Sequence, residues 1–501
     1  MRAGSYHESV ILPAGKQLVV QSYPNEAVWL DGSTVVSGWS ASGSAWRATG
    51  WTTRLDSSAT YTRGASDGTA AGWSFVGAQN PMASHPDQVW IGDTPLRQVG
   101  SLGEVTTGTF YVDYATSSIY VGSNPTGKTV RSSDLVKALS IRSDGSTLRG
   151  IGVRRYAPSV PDMGAITLER PGITVENVAV QDTSTTGISA VSTDATLRHV
   201  TVTGNGMLGI HGSMADSLVV QDALVTGNNS ERFNTSPVAG GIKVTRTTGV
   251  TVRDSVVTDN LGTGVWLDES CADITVSGTT IARNASHGIS LELSADALVA
   301  GNHVLDNSGD GIKINDTSRV QVWNNTFAGN GRTINIVQDA RNANDKSTPG
   351  HDPRRPVPDA SMTWINGPVT VSSNILSTPR SGATCLLCVE DYSHRFTAEQ
   401  TKVASQGNVY ARTSTARPTW WTVWSRGAGD PAVFTSMTDF TKATGQDAAS
   451  LVLDGKSAVD TSGAATVTVR EAEATVAVPL PAAVASELGV KAGTRHLGAW
   501  D

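Results

Sequence analysis

Hydrophobic and polar positions alternate in short runs that recur every 22 to 24 residues from about residue 164, apart from one interval of 32 residues that we interpret as a coil with an added loop. Each run begins with Gly and then Ile or Val, followed by an outward-facing residue, an apolar residue and a second outward-facing residue. An alternation with a period of two is typical of a half-buried β-strand. The pattern therefore predicts strands at 187–191, 209–213, 241–245, 264–268, 288–292 and 311–315.

Two further short strands follow in each repeat, and the last of them ends in Asn. The second strand is represented by 249–253 and 272–276. Asn tolerates the left-handed backbone conformation of a tight turn, and stacked copies can hydrogen-bond to one another, so we predict a structural role for these side chains. The recurring residues are Asn205, Asn228, Asn260, Asn284, Asn307 and Asn330.

Strands this short cannot bury a hydrophobic face alone, but stacked copies bury one continuous core. The sequence therefore predicts an all-β fold, a right-handed parallel β-helix with three strands per coil. A leucine-rich repeat fits less well, because it would show repeated Leu with a helical half. No stretch between 164 and 340 has helical periodicity.

Interruptions of the period predict the domain organisation. Residues 1–38 read as the first β-helix coils, apparently truncated at the N-terminus. Residues 39–135 lose the period and contain five of the 13 Trp, which favours an inserted β subdomain. We expect 136–380 to form the main β-helix. The period fades over 381–501, which we expect to cap the open end of the solenoid.

The composition argues against two classes of partner. No window approaches 18 uninterrupted apolar residues, so we expect no membrane span. The net charge is -7, from 38 basic and 45 acidic residues without a long block of either sign. This balance argues against nucleic acid, because a phosphate-binding surface needs an excess of Lys and Arg. We predict no cofactor, and the sequence does not indicate an oligomeric state.

Cysteine usage and the N-terminal segment bear on the cellular compartment. Three cysteines are too few for a disulfide scaffold. Cys385 and Cys388 form a single C-x-x-C, which favours a local disulfide or two free thiols over a zinc site. Met1 leads directly into a polar segment without an apolar signal core, so as written the sequence carries no export signal.

Function must come from side chains that point outward from the first strand of each coil. Alternation along that strand gives two outward columns. The first column is Thr167, Ser189, His211, Lys243, Trp266, Ser290, Lys313 and Asn335. The second column is Glu169, Val191, Ser213, Thr245, Asp268, Glu292, Asn315 and Val337. Seven outward residues on one strip have side chains suited to catalysis or substrate binding: His211, Lys243, Trp266, Asp268, Glu292, Lys313 and Asn315.

Asp268 and Glu292 are the candidate catalytic pair. They hold the same strand position on consecutive coils, so their Cα atoms are expected about 4.8 Å apart. Two carboxylates this close repel, and one is expected to be protonated near neutral pH. A separation of roughly 5 Å is typical of retaining glycosidases, whereas inverting enzymes need roughly 6.5 to 9.5 Å. Trp266 is a candidate stacking platform for a sugar, and Lys243 is placed to keep a nucleophilic carboxylate ionised.

A structural interpretation of the same residues stays open. Outward charges on a β-helix are usually solvated, and two adjacent carboxylates can bind Ca²⁺ or face a salt-bridging Lys. We expect His211 to be a surface imidazole or a hydrogen-bond partner of a sugar rather than a base. Lys313 is expected to bind substrate or to balance charge, and Asn315 is a candidate binding residue.

Three functional hypotheses follow. The first is a glycoside hydrolase acting on an oligosaccharide or polysaccharide. The second is a polysaccharide lyase in which Lys243, His211 or Lys313 abstracts the C5 proton beside a uronate carboxylate. The acidic pair at the centre of the strip argues against the lyase, because lyases usually need a basic cleft. The third is a non-catalytic carbohydrate-binding surface protein.

Three segments carry a family resemblance. The runs 240–253, 260–268 and 288–297 resemble right-handed β-helix repeat proteins of the pectin lyase-like superfamily, and this resemblance extends over most of the chain. The Trp-Leu-Asp at 266–268 and the Glu one coil later also resemble the motif of β-helix retaining β-xylosidases, over about thirty residues. That resemblance implies that Asp268 is the nucleophile and Glu292 the acid/base. It also implies a secreted protein.

Overall fold

The computed structural model describes residues 1–68 and 73–500. The chain divides into two compact units. The first comprises Met1–His211 and Leu224–Gly240, and the second comprises Gly212–Ala223 and Gly241–Asp501. None of the helices within the described ranges has the length and apolar character that a membrane crossing requires.

The first unit stacks short parallel strands in three sheets, which we name A, B and C. Sheet A contains Gly4–Tyr6, Val28–Asp31, Gly152–Arg154, Ala179–Gln181, Thr201–Thr203 and Leu224–Thr226. Sheet B contains Val10–Leu12, Leu139–Ile141, Ile166–Leu168, Thr186–Ala190 and Leu208–Ser213. Of the last strand, the part through His211 belongs to this unit. Sheet C contains Val19–Gln21, Thr147–Arg149, Thr174–Glu176 and Thr196–Arg198.

A separate, mostly antiparallel sheet is inserted between the early coils of this unit. Its strands are Ser33–Val36, Ser40–Ser42, Ala45–Thr49, Val89–Ile91, Thr94–Gln98, Thr109–Asp113, Ser118–Val121 and Val130–Ser133. It has its own apolar core, which includes Trp51, Phe110 and Ile119. Two 3₁₀ helices, Leu102–Glu104 and Val160–Asp162, also lie in the first unit. The loss of the repeat between 39 and 135 therefore corresponds to a sheet with a different hydrogen-bonding pattern.

The second unit repeats the three-strand coil. Its sheet A strands are Val256–Thr258, Thr280–Ala282, His303–Leu305, Thr326–Ala328, Ile375–Ser377, Val409–Arg412 and Leu451–Asp454. Its sheet B strands are Gly240–Thr245, Thr263–Asp268, Ile289–Glu292, Ile312–Asn315, Ile334–Gln338, Leu387–Asp391, Thr422–Trp424 and Ala432–Phe434. The first of these belongs to this unit from Gly241 onward. Its sheet C strands are Val219–Gln221, Thr248–Arg253, Ala272–Ser277, Ala295–Ala300, Ser318–Trp323, Val369–Ser372 and Val403–Gln406.

The inward residues of these coils form the core. Val265, Leu267, Ile289 and Leu291 are fully buried in sheet B, and they pair as Val265 with Ile289 and Leu267 with Leu291. Apolar side chains therefore lie directly above one another along the stack, which removes them from water coil by coil. The predicted all-β fold with three parallel strands per coil is confirmed.

The coils continue beyond the expected boundary at 380. In sheet B, Leu387–Asp391 pairs in parallel with Ile334–Gln338. In sheet A, Val409–Arg412 pairs in parallel with Leu451–Asp454. The helices Met437–Thr444, Val467–Val476 and Ala482–Glu487 follow or interrupt these last strands. The repeat fades from view in the sequence because longer segments separate the strands. Cys385 and Cys388 form a local disulfide, one of the two expected states.

The predicted asparagine ladder is confirmed. In the second unit, the side-chain Oδ1 of each ladder residue accepts hydrogen bonds from the preceding one, as between Asn260 and Asn284 at 2.9 Å and between Asn284 and Asn307 at 2.9 Å. Asn205 and Asn228 pair in the same way within the first unit. A second ladder, which the sequence analysis missed, follows the sheet C strands and consists of Asn302, Asn325, Asn374 and Asn408.

The asparagines do not adopt the left-handed backbone conformation that was predicted for them, so that part of the prediction is wrong. None of the six ladder residues, all of which the structure describes, has a positive φ. The left-handed conformation belongs to the residue before each of them, with φ between 53 and 67°. Those residues are Gly204, Gly227, Asp259, Arg283, Asp306 and Gly329. The asparagines are selected for their side-chain amides, which satisfy buried backbone groups at the turn.

The glycine that starts each sheet B run is required by close approach of the next coil. A Cβ atom on Gly288 would lie 2.7 Å from the carbonyl oxygen of Gly311 and 2.6 Å from the side chain of Val304. We expect Gly288→Ala to lower the free energy of unfolding by about 1–3 kcal/mol, measured by urea denaturation. Gly429→Ala is the control, because among the described residues no atom beyond Gly429 and its two chain neighbours lies within 4 Å of the added methyl group. Equal stability of the two variants would contradict the close-approach explanation.

Candidate active site

The candidate site lies on the outward face of sheet B in the second unit. Ser290 is registered beside Trp266 on one side and Lys313 on the other. The register of Leu267 with Leu291 continues to Asp268 and Glu292, which therefore lie on neighbouring strands about 4.8 Å apart at the backbone. The inward residues between them are core, so the two carboxylates point outward as the alternation predicts. We call this face the acidic strip.

Asp268 is buried, with 6% of its surface exposed, and is paired with a lysine. Lys243 Nζ lies 2.9 Å from Oδ2, and the backbone N–H of Glu269 donates to Oδ1 at 2.7 Å. Burial raises the pKa of Asp268 to about 6; Lys243 opposes this rise, and the charge of Glu292 adds to it. Asp268 therefore keeps a proton under weakly acidic conditions.

Glu292 is similarly buried but carries more positive charge around it. Arg341 Nη1 donates to Oε1 at 2.7 Å, and the indole Nε1 of Trp266 donates to Oε2 at 3.2 Å. Burial opposes ionisation, yet the charges of Arg341 and Lys313 outweigh it, so the pKa of Glu292 lies below its ordinary value. Below about pH 6 the pair is therefore asymmetric, with the proton on Asp268 and the negative charge on Glu292.

The structure changes the expected role of Trp266. Its indole ring has the ammonium of Lys243 3.4 Å from the ring centroid, a cation–π contact. That face is therefore occupied, and only 8% of Trp266 is exposed, so the ring offers no open face for a sugar and the stacking prediction is corrected. Trp266 instead donates a hydrogen bond to Glu292 and fixes the position of Lys243 beside Asp268.

Lys313 and Asn315 follow on the next coil. Lys313 is half-buried and its charge lowers the pKa of Glu292. Asn315 is registered beside Glu292 and is buried, with its Nδ2 3.3 Å from a carboxylate oxygen of Asp339. Both residues therefore adjoin the carboxylate pair, as the sequence analysis expects, and Lys313 balances charge there.

His211 belongs to the first unit. It is 5% exposed, its Nδ1 lies 2.9 Å from the Ser189 hydroxyl oxygen, and its ring lies 5.6 Å from that of Tyr61. The expectation of a surface imidazole is therefore wrong. The inserted segment that carries Tyr61 covers the ring, which the period of the coils could not indicate.

Arg341 is the main residue that the sequence analysis missed. It lies in the segment between the strands Ile334–Gln338 and Val369–Ser372, which we call the 339–368 loop. Trp364 and Met362 of this loop are buried against Leu293 at the end of the Glu292 strand. This packing brings the Arg341 guanidinium to Glu292. The interruption of the period after 338 was an available signal for a loop at the site.

Behind Arg341 lies a second carboxylate pair. The Nε atom of Arg341 is 3.1 Å from Asp316 Oδ2, and its Nη2 atom is 2.9 Å from Asp339 Oδ2. Burial raises the pKa of Asp316 to about 8. Burial opposes ionisation of Asp339 too, but hydrogen bonds from Asp316 and Arg341 lower its pKa to about 2. At neutral pH this pair therefore holds one proton, on Asp316. The Arg341 guanidinium then lies between two ionised carboxylates, Asp339 and Glu292.

His287, which lies just before the Ile289–Glu292 strand, is a further residue near the strip that the sequence analysis missed. Its Nδ1 accepts the backbone N–H of Asp310 at 3.0 Å, so a neutral ring carries its proton on Nε2. Burial lowers its pKa, which favours that neutral form. His287 is therefore arranged as a hydrogen-bond donor, not as a base.

A cation site is not favoured at the carboxylate pair. Among residues 1–68 and 73–500, no group of three or more His, Cys, Asp or Glu side chains is arranged to hold a metal ion. Asp268 and Glu292 each face a cationic side chain, which repels Ca²⁺ from the position that the structural interpretation offered.

Comparison with known proteins identifies the fold. Residues 164–330 match the family model described as a right-handed β-helix region. The structure of XylC in complex with xylose superposes with a TM-score of 0.55 at 14% identity, over 76% of this chain and 70% of XylC. The fold is a right-handed parallel β-helix.

Two other solved structures are similar over a shorter part of this chain. The periplasmic alginate epimerase AlgG has 14% identity and a TM-score of 0.33, over 51% of this chain and 66% of that one. The A-module of mannuronan C-5 epimerase AlgE6 from Azotobacter vinelandii has 15% identity and a TM-score of 0.35, over 56% and 79%. A search of curated protein sequences gave no match.

Proposed function

We propose that this β-helix is a glycoside hydrolase that cleaves an oligosaccharide or polysaccharide with retention of configuration. The observation that supports this proposal is the pair Asp268 and Glu292, two buried carboxylates on neighbouring strands with opposite pKa shifts. Retaining glycosidases use a carboxylate and a carboxylic acid whose carboxyl groups lie about 5 Å apart, and the backbone spacing of about 4.8 Å between neighbouring strands allows such a separation. The likeness to XylC, whose structure holds xylose, supports the fold and is compatible with a sugar ligand.

The reaction needs one proton on the pair. In the first step, the ionised carboxylate attacks the anomeric carbon, the glycosidic C–O bond breaks, and the carboxylic acid protonates the departing oxygen. In the second step, the acid, now ionised, takes a proton from water while the water oxygen attacks the anomeric carbon and releases the carboxylate. Atoms and charge balance within the pair, the sugar and one water molecule.

The alternatives receive less support. Lys243, a candidate base for β-elimination, contacts Asp268 Oδ2 at 2.9 Å and lies over the Trp266 ring, so its amino group is engaged by two neighbours. The test is a panel of aryl glycosides and polysaccharides, with NMR of the first anomer released. Retention supports the proposal. Inversion, an ultraviolet-absorbing unsaturated product, or binding without turnover would each overturn it.

The pH dependence follows from Asp268. Above about pH 6 this carboxyl loses its proton, both members of the pair become ionised, and no acid remains on the pair to protonate the leaving oxygen. We therefore expect kcat/KM for an aryl glycoside to fall as pH rises through about 6, measured in buffers of constant ionic strength. A rate that stays level to about pH 8 would contradict the assignment of the essential proton to this pair.

We also propose that the protein is secreted. The supporting observation is the disulfide between Cys385 and Cys388, because disulfides persist in oxidising compartments and are rare in the cytosol.

A further inference from the structure

The outward column that holds Asp268 and Glu292 continues past them toward the last coils. Glu292 is registered with Asn315, and Asn315 with Val337. Val337 is registered with Glu390. Three strand spacings therefore place the Glu390 backbone roughly 14 Å from that of Glu292 along the stack. Sheet B thus extends the acidic strip well beyond the two candidate catalytic carboxylates.

Tyr392 lies at the far end of this strip and has an open aromatic ring. It is 57% exposed, whereas Trp266 is buried and its ring face is occupied by Lys243. The Tyr392 hydroxyl donates to Glu390 Oε2 at 3.0 Å, so the ring is anchored at one edge while most of the residue faces water. An exposed aromatic ring that is held in place can stack on the apolar face of a sugar.

A chain of polar contacts connects the candidate site to Tyr392. His287 Nδ1 accepts the backbone N–H of Asp310, and Asp310 Oδ1 lies 3.0 Å from Arg332 Nε. Arg332 Nη1 lies 2.8 Å from Glu390 Oε2, the same oxygen that accepts from Tyr392. These contacts join neighbouring coils, so the Tyr392 ring has a defined position relative to the strip.

A cavity lies beside the middle of this chain of contacts, and we call it the distal cavity. Its volume of about 380 Å³ is within the range of small-ligand sites, and its lining includes Asp310, Arg332 and Arg380. Gly309 also lines it and contacts His287, since a Cβ atom on Gly309 would lie 2.9 Å from His287 Nδ1. Guanidinium donors in such a lining suit the hydroxyl oxygens of a sugar.

We propose that the distal cavity and Tyr392 are distal sugar subsites of the candidate active site, and that the substrate is a polysaccharide or long oligosaccharide. This inference rests on the proposed function and names long chains, not short glycosides, as the substrate class. The chain runs along the axis of the coils. Its scissile bond lies at Asp268 and Glu292, and several linked sugars span the distance to the Tyr392 ring.

The dependence of hydrolysis on chain length tests the inference. With oligosaccharides of two to six sugars, of the type that the parent cleaves, we expect kcat/KM to rise with length, because binding energy from remote sugars lowers the barrier. In Tyr392→Ala, the ratio of kcat/KM for the longest over the shortest chain is expected to fall about ten-fold, as one stacked ring is lost.

Two further variants control this measurement. Tyr392→Phe keeps the ring and is expected to keep most of the parental ratio. Tyr23→Ala is the matched control, because Tyr23 is 55% exposed but belongs to the first unit, and we expect it to keep the parental ratio. An equal ratio in the parent and in Tyr392→Ala would overturn the inference, while hydrolysis itself would still support the proposed function.

A binding measurement tests the subsites without turnover. Native gels are cast with xylan, β-glucan, mannan or polygalacturonate, and the protein carries Glu292→Gln so that the polymer is not cleaved. Retardation that is lost on adding Tyr392→Ala, and weakened on adding Arg380→Gln, supports the subsites even if no hydrolysis is found. Retardation that survives both changes, or no retardation in any gel, would overturn them.

Discussion

Replacing Glu292 by Gln, or Asp268 by Asn, is expected to lower kcat/KM for a cleaved aryl glycoside by at least about 10³-fold. Each change keeps the size of the side chain but removes either the attacking oxygen or the transferable proton. Because both groups act in the same two steps, the double variant is expected to lose little more than the worse single variant. Steady-state kinetics on the three variants measures this directly.

The control for these variants is Asp296→Asn. Asp296 lies on sheet C, where Arg319 pairs with it at the protein surface. The Asp296→Asn substitution makes the same chemical change as Asp268→Asn, but on another sheet of the β-helix. We expect its kcat/KM to stay within error of the parent. Thermal unfolding of all variants checks that the fold is kept. Activity of both single pair variants within about ten-fold of the parent would remove Asp268 and Glu292 from the chemistry.

The position of Asp268 and Glu292 could be predicted because a sequence repeat of constant length determines which residues lie next to each other on consecutive coils. Once the repeat fixes the strands, residues at equal positions on consecutive coils must be neighbours, and Asp268 and Glu292 are such residues. The same logic placed Lys313 and Asn315 beside them. These predictions needed only the alternation of inward and outward residues and the spacing of hydrogen-bonded strands.

The charges around the pair could not be predicted in the same way. Arg341 lies in a segment without a period, and its approach to Glu292 depends on the burial of Trp364 and Met362 against Leu293. The stacking prediction for Trp266 failed for a related reason. The repeat places Lys243 one coil from Trp266, but only side-chain packing puts its ammonium on the ring face. Roles within the pair depend on these contacts.

His211 shows the same limit in the first unit. Its strand position was predicted, and Ser189 beside it holds the ring by a hydrogen bond. Its burial depends on Tyr61, which comes from the inserted segment about 150 residues earlier in the chain. Long-range packing of this kind leaves no periodic signal, so an outward residue of the repeat was expected at the surface and lies instead under an insertion.

The asparagine ladder gives the prediction with the largest expected effect on stability. Asn284→Ala removes an amide that accepts from the backbone N–H of Asn260 at 3.1 Å and donates to the carbonyl oxygen of Val257 at 3.0 Å. It also breaks the side-chain bonds to Asn260 and Asn307. We expect a loss of about 3–5 kcal/mol, since the partners are fully buried and lose several hydrogen bonds together.

The measurement is the midpoint of urea unfolding, with Asn344→Ala as the control. Asn344 is exposed in the 339–368 loop, so its side chain can be replaced by water at little cost. A ladder residue must satisfy donors and acceptors on both neighbouring coils at once, and no other side chain of the same size offers one acceptor and two donors. If Asn284→Ala unfolds at the same urea concentration as Asn344→Ala, the buried amides do not hold the coils together, and hydrophobic stacking alone carries the solenoid.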